Sequence, residues 1–271
     1  MASFAPQGSD RLQAALEKLG FVRQRGSDAF RHNGVMFHQQ QDWVTLKSSE
    51  PLLDVDPLHG LLGTPGPWKH VIECDGSTRK LFELPRAALD GVIGADVDGE
   101  AESACEECLW WALATDQGGI PAGWQPPERA EIDAWMSPAS LTIQCGPIVR
   151  QGQLLHGPDK LGLRFPILAG SPAGLSEARR LWLRDVLLEA QNRWRMVRIG
   201  LTETGANAEI DLTGVPQEMA ESMFKTSLDA LRWVVEWLVL SAAFLADPRV
   251  VCQAWEVRPL RAAPAERRDT P

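Results

Sequence analysis

The stretch MVRIGLTETGANAEIDLTGVP, residues 196–216, decides the fold of this chain. Its apolar residues alternate with polar neighbours in two runs, Val197, Ile199 and Leu201 in the first and Ala208, Ile210 and Leu212 in the second. Side chains that alternate in this way lie on opposite faces of a strand. Because a glycine-containing turn is expected between the runs, at residues 204–207, the stretch predicts an antiparallel β-hairpin.

A long amphipathic helix is predicted directly after this hairpin, from Pro216 to about Asp247. Proline is tolerated in the first turn of a helix, because its missing N–H would have no partner there anyway. The predicted inner face carries apolar side chains at helical spacing, namely Met219, Met223, Leu228, Leu231, Val235, Leu238 and Phe244. Charged residues such as Glu221 and Lys225 mark the solvated outer face.

Periodicity predicts the remaining elements in the same way. Helices are expected at residues 9–20, 101–116 and 175–194. Strands are expected at residues 29–39, 42–48, 68–74, 79–84, 141–150, 153–168 and 250–257. A turn is expected at His32-Asn33-Gly34 within the first of these, and Asp75-Gly76-Ser77 predicts a hairpin between the third and the fourth. Loops rich in glycine and proline separate these segments. This order of helices and hairpins predicts an α+β fold.

Two halves are predicted, because strands, a hairpin and a C-terminal helix recur in the same order. The N-terminal α+β half covers residues 1–117 and the C-terminal α+β half covers residues 138–257. A linker is predicted at residues 118–137, where glycine and proline break the periodicity. Residues 258–271, rich in Arg, Ala and Pro, are expected to form a disordered tail.

The segment 195–247, with the quoted hairpin and a long helix that ends in FLADP, resembles the carboxy-terminal half of type III secretion chaperones and YbjN-like proteins. The resemblance rests on the order of elements. It implies a strongly curved antiparallel sheet packed against helices, here in two related halves. It also implies that the protein binds polypeptide segments or partners rather than catalysing a reaction. The chain departs from that family in its greater length and its many tryptophans.

Composition and charge exclude several classes of protein. With 44% hydrophobic and 23% charged residues, the chain of 271 residues is neither wholly disordered nor collagen-like. A net charge of −9 argues against nucleic acid and anionic membranes as partners. Only five cysteines occur, and the N-terminus lacks the pattern of a signal peptide, so we expect a cytoplasmic location.

Tryptophan is the unusual component, since the chain has eleven tryptophans and no tyrosine. The residues that flank the predicted linker are expected to bind a peptide; they are Trp110, Trp111, Trp124 and Trp135. Consecutive residues of a helix cannot both face one core, so one of the first two should border a cleft or an interface. Large rigid aromatic side chains on a concave surface are good anchors for a peptide. Trp182 and Trp237 are expected in the core.

A metal site is a second hypothesis. Cys105 and Cys108 form the only cysteine pair at a spacing used by metals and redox dithiols. A zinc ion would need two further ligands, and His70 and Cys74 fit best, because residues four apart on a strand point to one face. Two glutamates lie between the paired cysteines and disfavour thiolates by like-charge repulsion. Cysteines with no role beyond helix packing are therefore the simpler interpretation.

Two functions follow from these observations. The first is a non-catalytic, chaperone-like module without a cofactor. It would hold an extended segment, from a secreted protein or a precursor peptide, at a sheet edge or in an aromatic groove. The alternative is an enzyme with a zinc site that involves Cys105 and Cys108. No GxSxG, GxxxxGK[ST] or GxGxxG motif supports a hydrolase or a nucleotide-binding protein. The identity of the partner and the oligomeric state, including a homodimer, stay open.

Overall fold

The computed structural model describes residues 8–40, 42–59, 65–86, 88, 101–169, 171–202 and 205–246. In these residues the chain has an α+β fold with five α-helices and three open antiparallel sheets, of six, four and two strands. The predicted α+β class is confirmed. The predicted strand 250–257 and tail 258–271 lie outside the described residues. No helix in the described part of the chain is both long and apolar enough to cross a membrane.

The N-terminal half begins with helix α1 (Gly8–Lys18), which is followed by the six-stranded sheet. Its strands are β1 (Val22–Arg23), β2 (Phe30–His32), β3 (Val35–Gln39), β4 (Trp43–Ser48), β5 (Lys69–Ile72) and β6 (Thr78–Pro85). They are arranged in the order β1-β2-β3-β4-β6-β5, which makes β5 an edge strand. The β5–β6 hairpin turns at Gly76, whose φ of 81° favours glycine. This turn lies where the sequence predicts it.

Helix α2 (Ala101–Asp116) has the predicted bounds and packs against α1. The segment predicted as a linker, residues 118–137, contains regular structure, since helix α3 (Arg129–Trp135) lies within it. Helix α3 contacts the C-terminal half, where the ring of Trp135 lies 5.7 Å from that of Phe224. The role of this segment as a domain boundary stays a prediction.

The C-terminal half contains the other two sheets and the two longest helices. Its strands are β7 (Thr142–Cys145), β8 (Ile148–Gln151), β9 (Gln153–Gly157), β10 (Lys160–Ala169), β11 (Arg198–Thr202) and β12 (Gly205–Asp211). Its helices are α4 (Glu177–Arg193) and α5 (Gln217–Ala246). The four-stranded sheet has the order β11-β12-β10-β9, and β7 and β8 form the two-stranded sheet.

Two details of these hairpins differ from the sequence prediction. A single strand was expected at residues 141–150, but Gly146, with a φ of 60°, turns the chain and Cys145 pairs with Ile148. In the hairpin of β11 and β12, pairing begins at Thr202 and Gly205. Most of the turn expected at residues 204–207 therefore belongs to strand β12. Both differences reflect tight turns, which alternation of apolar residues does not locate.

The core of the C-terminal half lies between α5 and one face of the four-stranded sheet. Strand β10 fills this face with the buried side chains Leu161, Leu163, Phe165 and Ile167. Helix α5 adds residues of its predicted inner face, and Met219, Met223, Leu228, Leu231, Val235 and Leu238 are all buried. The side chain of Phe244 lies outside the described residues. Leu163 and Leu231 belong to one hydrophobic core that continues into the N-terminal half.

The expectation that Trp182 and Trp237 lie in the core is wrong. Trp182 is 40% exposed and Trp237 is 38% exposed. On α5 the space against the sheet is taken by a buried stripe that includes Val234, Val235, Leu238 and Val239. Trp237 is the residue before Leu238 and Val239 and lies at the edge of this buried stripe. Its indole is therefore at the side of α5 and not between α5 and the sheet.

Candidate peptide-binding groove

A groove of about 310 Å³ opens beside Trp110. Three elements form its walls, namely the end of α1, the turn between β2 and β3, and the last two turns of α2. The lining side chains are Leu19, His32, Asn33, Val35, Trp110, Leu113, Ala114, Asp116 and Gln117. The groove therefore combines an indole with an imidazole, two side-chain amides and one carboxylate.

Trp110 and Trp111 point in different directions, because consecutive residues of an α-helix are about 100° apart around its axis. Trp111 is fully buried, and its Nε1 donates to the carbonyl oxygen of Thr213 over 2.9 Å. The Trp111 ring also meets Phe82 edge-on, with the ring centroids 5.1 Å apart. Trp110 keeps 47% of its surface exposed. Of the consecutive pair, Trp110 therefore borders the cleft and Trp111 belongs to the core.

The turn between β2 and β3 presents His32 and Asn33 to the groove. Asn33 has a φ of 43° and Gly34 a φ of 80°, a left-handed conformation that asparagine and glycine adopt readily. The Asn33 amide nitrogen donates to Nε2 of His32 over 2.8 Å. Nδ1 of the same imidazole therefore carries the hydrogen and donates to the Gly20 carbonyl over 3.1 Å. These two contacts fix the imidazole in the groove wall.

Asp116 ends helix α2 and provides the carboxylate of the groove. The Lys80 ammonium donates to Oδ1 of Asp116 over 2.9 Å and to its main-chain oxygen over 2.7 Å. The Lys80 side chain is 22% exposed and that of Asp116 is 25% exposed, so the pair remains in contact with water. In the described part of the chain, no hydrogen-bond donor contacts the second oxygen, Oδ2. The Asp116 carboxylate is therefore paired through one of its two oxygens.

Trp124 and Trp135 do not line the groove. Nε1 of Trp124 donates to the Val215 carbonyl over 2.8 Å, and Trp135 packs on Phe224. Both indoles are half-buried against the chain around the start of α5. Of the four predicted residues only Trp110 lines the groove, while Trp111 and Trp124 donate to carbonyls two residues apart, those of Thr213 and Val215.

Sequence reasoning did not identify Leu19, His32, Asn33 and Asp116 as groove residues. The His32-Asn33-Gly34 turn was predicted from its composition. Nothing in the sequence indicated that this turn meets the end of α2, because the two are separated by four strands of the same sheet.

The predicted metal ligands lie in different environments. His70 is buried on β5, and its Nδ1 has no hydrogen-bond partner among the described residues. Cys74 is exposed and lies beyond Ile72, the last residue of that strand, so the argument that both side chains share a strand face is wrong. Cys108 is buried, and the side chain of Cys105 lies outside the described residues. Within the residues that the structure describes, no three His, Cys, Asp or Glu side chains are placed to hold a metal ion.

Two sheet edges are covered by consecutive amides at the end of α4. Asn192 accepts from the Ile72 N–H over 2.9 Å and donates to the Ile72 carbonyl over 3.0 Å, at the edge strand β5. Gln191 accepts from the Ile199 N–H over 2.7 Å, at the edge strand β11. Because an added strand would need these backbone groups, a peptide could pair with either edge only by displacing α4.

A second group of charges, the buried ion cluster, lies on the other face of the four-stranded sheet. It consists of Lys160, Arg164, Arg198, Glu209 and Asp211. Both carboxylates are fully buried, and the Arg198 guanidinium donates to Glu209 over 2.5 Å and to Asp211 over 3.0 Å. Lys160 contacts Asp211, and Nε of Arg164 donates to Glu209 over 2.7 Å.

The buried ion cluster is electrostatically satisfied. Burial raises the pKa of the Glu209 carboxyl, but the neighbouring Arg198, Lys160 and Arg164 outweigh burial and hold the pKa below its ordinary value. The remaining oxygen of Asp211, Oδ1, accepts from the Thr213 N–H over 2.8 Å. Since every carboxylate oxygen has a donor, this cluster serves the fold rather than a ligand.

Trp110 is the one predicted site residue among those described that lines this groove, and its surroundings come from two distant parts of the N-terminal half. Comparison with models of known protein families, with curated proteins and with solved structures finds no match to this chain.

Proposed function

We propose that this protein is a non-catalytic, chaperone-like module that holds an extended polypeptide segment in the groove beside Trp110. The observation that carries the proposal is the 47% exposure of Trp110 at the wall of that groove. A tryptophan is costly to leave in water, and a rigid indole loses little conformational entropy when a ligand covers it. Such residues dominate the energetics of protein interfaces.

The groove is a better candidate than the sheet edges at β5 and β11 for two reasons. Asn192 and Gln191 already occupy backbone groups of the edge strands β5 and β11. The groove also presents polar groups that can fix an extended backbone, namely the amides of Asn33 and Gln117. A mixed apolar and polar lining of this kind holds a ligand by area and orients it by hydrogen bonds.

The proposal includes the class of protein that the sequence suggests. Residues 195–247 resemble type III secretion chaperones and YbjN-like proteins, whose members bind polypeptides. An antiparallel sheet with helices in each half is compatible with two related halves of that type. The bound segment would belong to a secreted protein or to a precursor peptide.

Binding to an array of short synthetic peptides of varied sequence tests this function. We expect the full chain to bind a subset of the peptides. Trp110→Ala should weaken the binding of that subset by about tenfold or more, which equals about 1.4 kcal/mol. Trp233→Ala is the matched control, because Trp233 is 61% exposed on α5 and does not line the groove.

Two results would contradict the proposal. One is that no peptide binds the full chain. The other is that Trp110→Ala and Trp233→Ala weaken binding equally, which would mean that any exposed indole attracts peptides nonspecifically. Circular dichroism of both variants, compared with the unmodified chain, shows that the fold is intact.

A further inference from the structure

We infer that the segment VVCQAWEV, residues 250–257, docks on the exposed side of helix α5 and covers Trp233 and Trp237. This inference does not depend on the groove beside Trp110. The two indoles are 61% and 38% exposed and lie four residues apart, so they share one side of the helix. A paired aromatic surface of this kind marks a place where another segment docks.

The exposed positions of α5 change in character along the helix. Those from its first residue to Asp229 are all polar or charged, namely Gln217, Glu218, Glu221, Ser222, Lys225, Thr226 and Asp229. The next two exposed positions are Trp233 and Trp237. Water solvates the first part of this side well, whereas the second part has the composition of a buried surface. The apolar part is the one nearer to the end of the helix at Ala246.

The sequence that follows α5 has a matching composition. Pro248 disfavours continuation of the helix and is common where a chain changes direction. Most of the segment 250–257 is apolar, with Val250, Val251, Cys252, Ala254, Trp255 and Val257. A short apolar run of this kind is typical of a strand that is buried on both faces. The segment therefore needs a surface to cover it, and the indoles of α5 need the same.

The lengths of the segment and of the apolar side agree. An extended chain advances about 3.3 Å per residue, so residues 250–257 span about 23 Å. A helix rises about 1.5 Å per residue, which places Trp233 about 20 Å from Ala246 along the axis. A segment that reverses direction around Pro248 is therefore long enough to run back along α5 past both indoles.

This antiparallel course also predicts a register. If the first residue of the segment lies level with the end of α5, Cys252 lies about 7 Å back along the axis, level with Ser241. Trp255 lies about 17 Å back, between the levels of Trp237 and Trp233. The largest apolar side chain of the segment thus meets the two exposed indoles.

Charge complementarity supports the same register. Arg258, the residue after the segment, lies about 26 Å back and therefore level with Asp229, the last charged position before the indoles. Apolar residues then meet apolar residues and a cation meets an anion. A short connection also gives the attached segment an effective concentration of about 1 mM or more at this surface. This favours the segment over a second copy of the chain.

Disulfide formation in the full chain tests this arrangement. Ser241→Cys places a thiol on the side of α5 that carries Trp237, and Cys252 is the native partner. Cys74→Ser is included because Cys74 is exposed and would compete. Two cysteines form a disulfide readily only when their Cα atoms lie within about 7 Å. After oxidation with copper phenanthroline, we expect a disulfide between positions 241 and 252 of one chain, identified by mass spectrometry of the tryptic peptides.

Control variants separate docking from simple tethering. Trp255→Ala keeps the length of the segment and removes its main apolar contact, so it should slow disulfide formation about threefold or more. Trp110→Ala removes an exposed indole on α2 and should leave the rate unchanged. Ser222→Cys replaces Ser241→Cys in a further control. Its thiol lies on the polar part of the same helix side and should form little disulfide with Cys252.

Four results would overturn the inference. One is that no disulfide forms at position 241, and another is that Trp255→Ala leaves its rate unchanged, which tethering alone would explain. Equal rates for the thiols at positions 241 and 222 would show that the segment has no fixed register. A disulfide between two chains, seen by electrophoresis without reductant, would assign the apolar side of α5 to a second copy. Circular dichroism of each variant shows that the fold is intact.

Discussion

The two charged regions of this protein differ in what surrounds them. In the buried ion cluster, Arg198 is 1% exposed and Glu209 and Asp211 are fully buried. At the groove, Asp116 and its partner Lys80 keep about a quarter of their side-chain surface in contact with water. Removing one partner of an ion pair that is shielded from water strongly lowers the free energy of unfolding, whereas hydrated pairs contribute little to it. Burial therefore separates the charges that maintain the fold from charges that remain accessible to water.

Removing a charge from the buried ion cluster should have the largest effect on stability. Arg198→Met leaves Glu209 and Asp211 buried with too few cations, and we expect a loss of about 3–5 kcal/mol in the free energy of unfolding. Urea denaturation followed by circular dichroism measures this loss. Arg193→Met is the control, because Arg193 is 69% exposed in its pair with Glu189. A loss below about 1 kcal/mol for Arg198→Met would mean that burial does not distinguish the two regions.

Substitutions of the consecutive residues Trp110 and Trp111 compare an exposed with a buried side chain without a change of charge. Trp111→Phe leaves the Thr213 carbonyl without its donor and should lower the free energy of unfolding by about 1–3 kcal/mol. Trp110→Phe, at the neighbouring exposed position, should change it by no more than about 0.5 kcal/mol. Parallel urea titrations of the two variants provide the measurement. Equal losses would show that Trp110 contributes to the core rather than to a binding surface.

The pH dependence of stability should show a smaller effect of the buried ion cluster. The pKa of Glu209 lies below its ordinary value of 4.5, so its carboxylate contributes stability that is complete above that pH. This contribution is lost as the pH falls through the lower pKa of the folded state, because protonation breaks the pairs with Arg198 and Arg164. Glu209→Gln cannot ionise, so its urea midpoint should fall less steeply below pH 4.5 than that of the unmodified chain. Identical slopes would contradict this assignment.

Much of the secondary structure could be predicted because its signals are local. The alternation in residues 196–216 predicts the hairpin of β11 and β12, and the apolar stripe that follows predicts helix α5. The bounds of α2 also agree with the prediction. Turn details were less predictable, since Gly146 divides an expected strand and Gly205 begins a strand where a turn was expected. One glycine changes the direction of the backbone without disturbing the hydrophobic pattern around it.

The candidate site was predictable only in part. The adjacency of Trp110 and Trp111 indicates that one of them leaves the core, but not which one. The decision comes from long-range contacts, since the Thr213 carbonyl and the Phe82 ring receive Trp111. The same limit explains the wrong expectation for Trp237, because sequence spacing defines a helix face without showing how wide a stripe the sheet will cover.

The sequence by itself determined the α+β class and the order of most elements. It also determined the alternation of apolar and polar residues along the strands, which places the core and the buried ion cluster on opposite faces of the four-stranded sheet. These depend on the period of apolar residues, which neighbours along the chain establish. Only the tertiary structure decided that the His32–Asn33 turn meets the end of α2 beside Trp110, and that Gln191 and Asn192 cover two sheet edges. Such contacts join residues distant in sequence, and their geometry follows from how whole elements pack against one another.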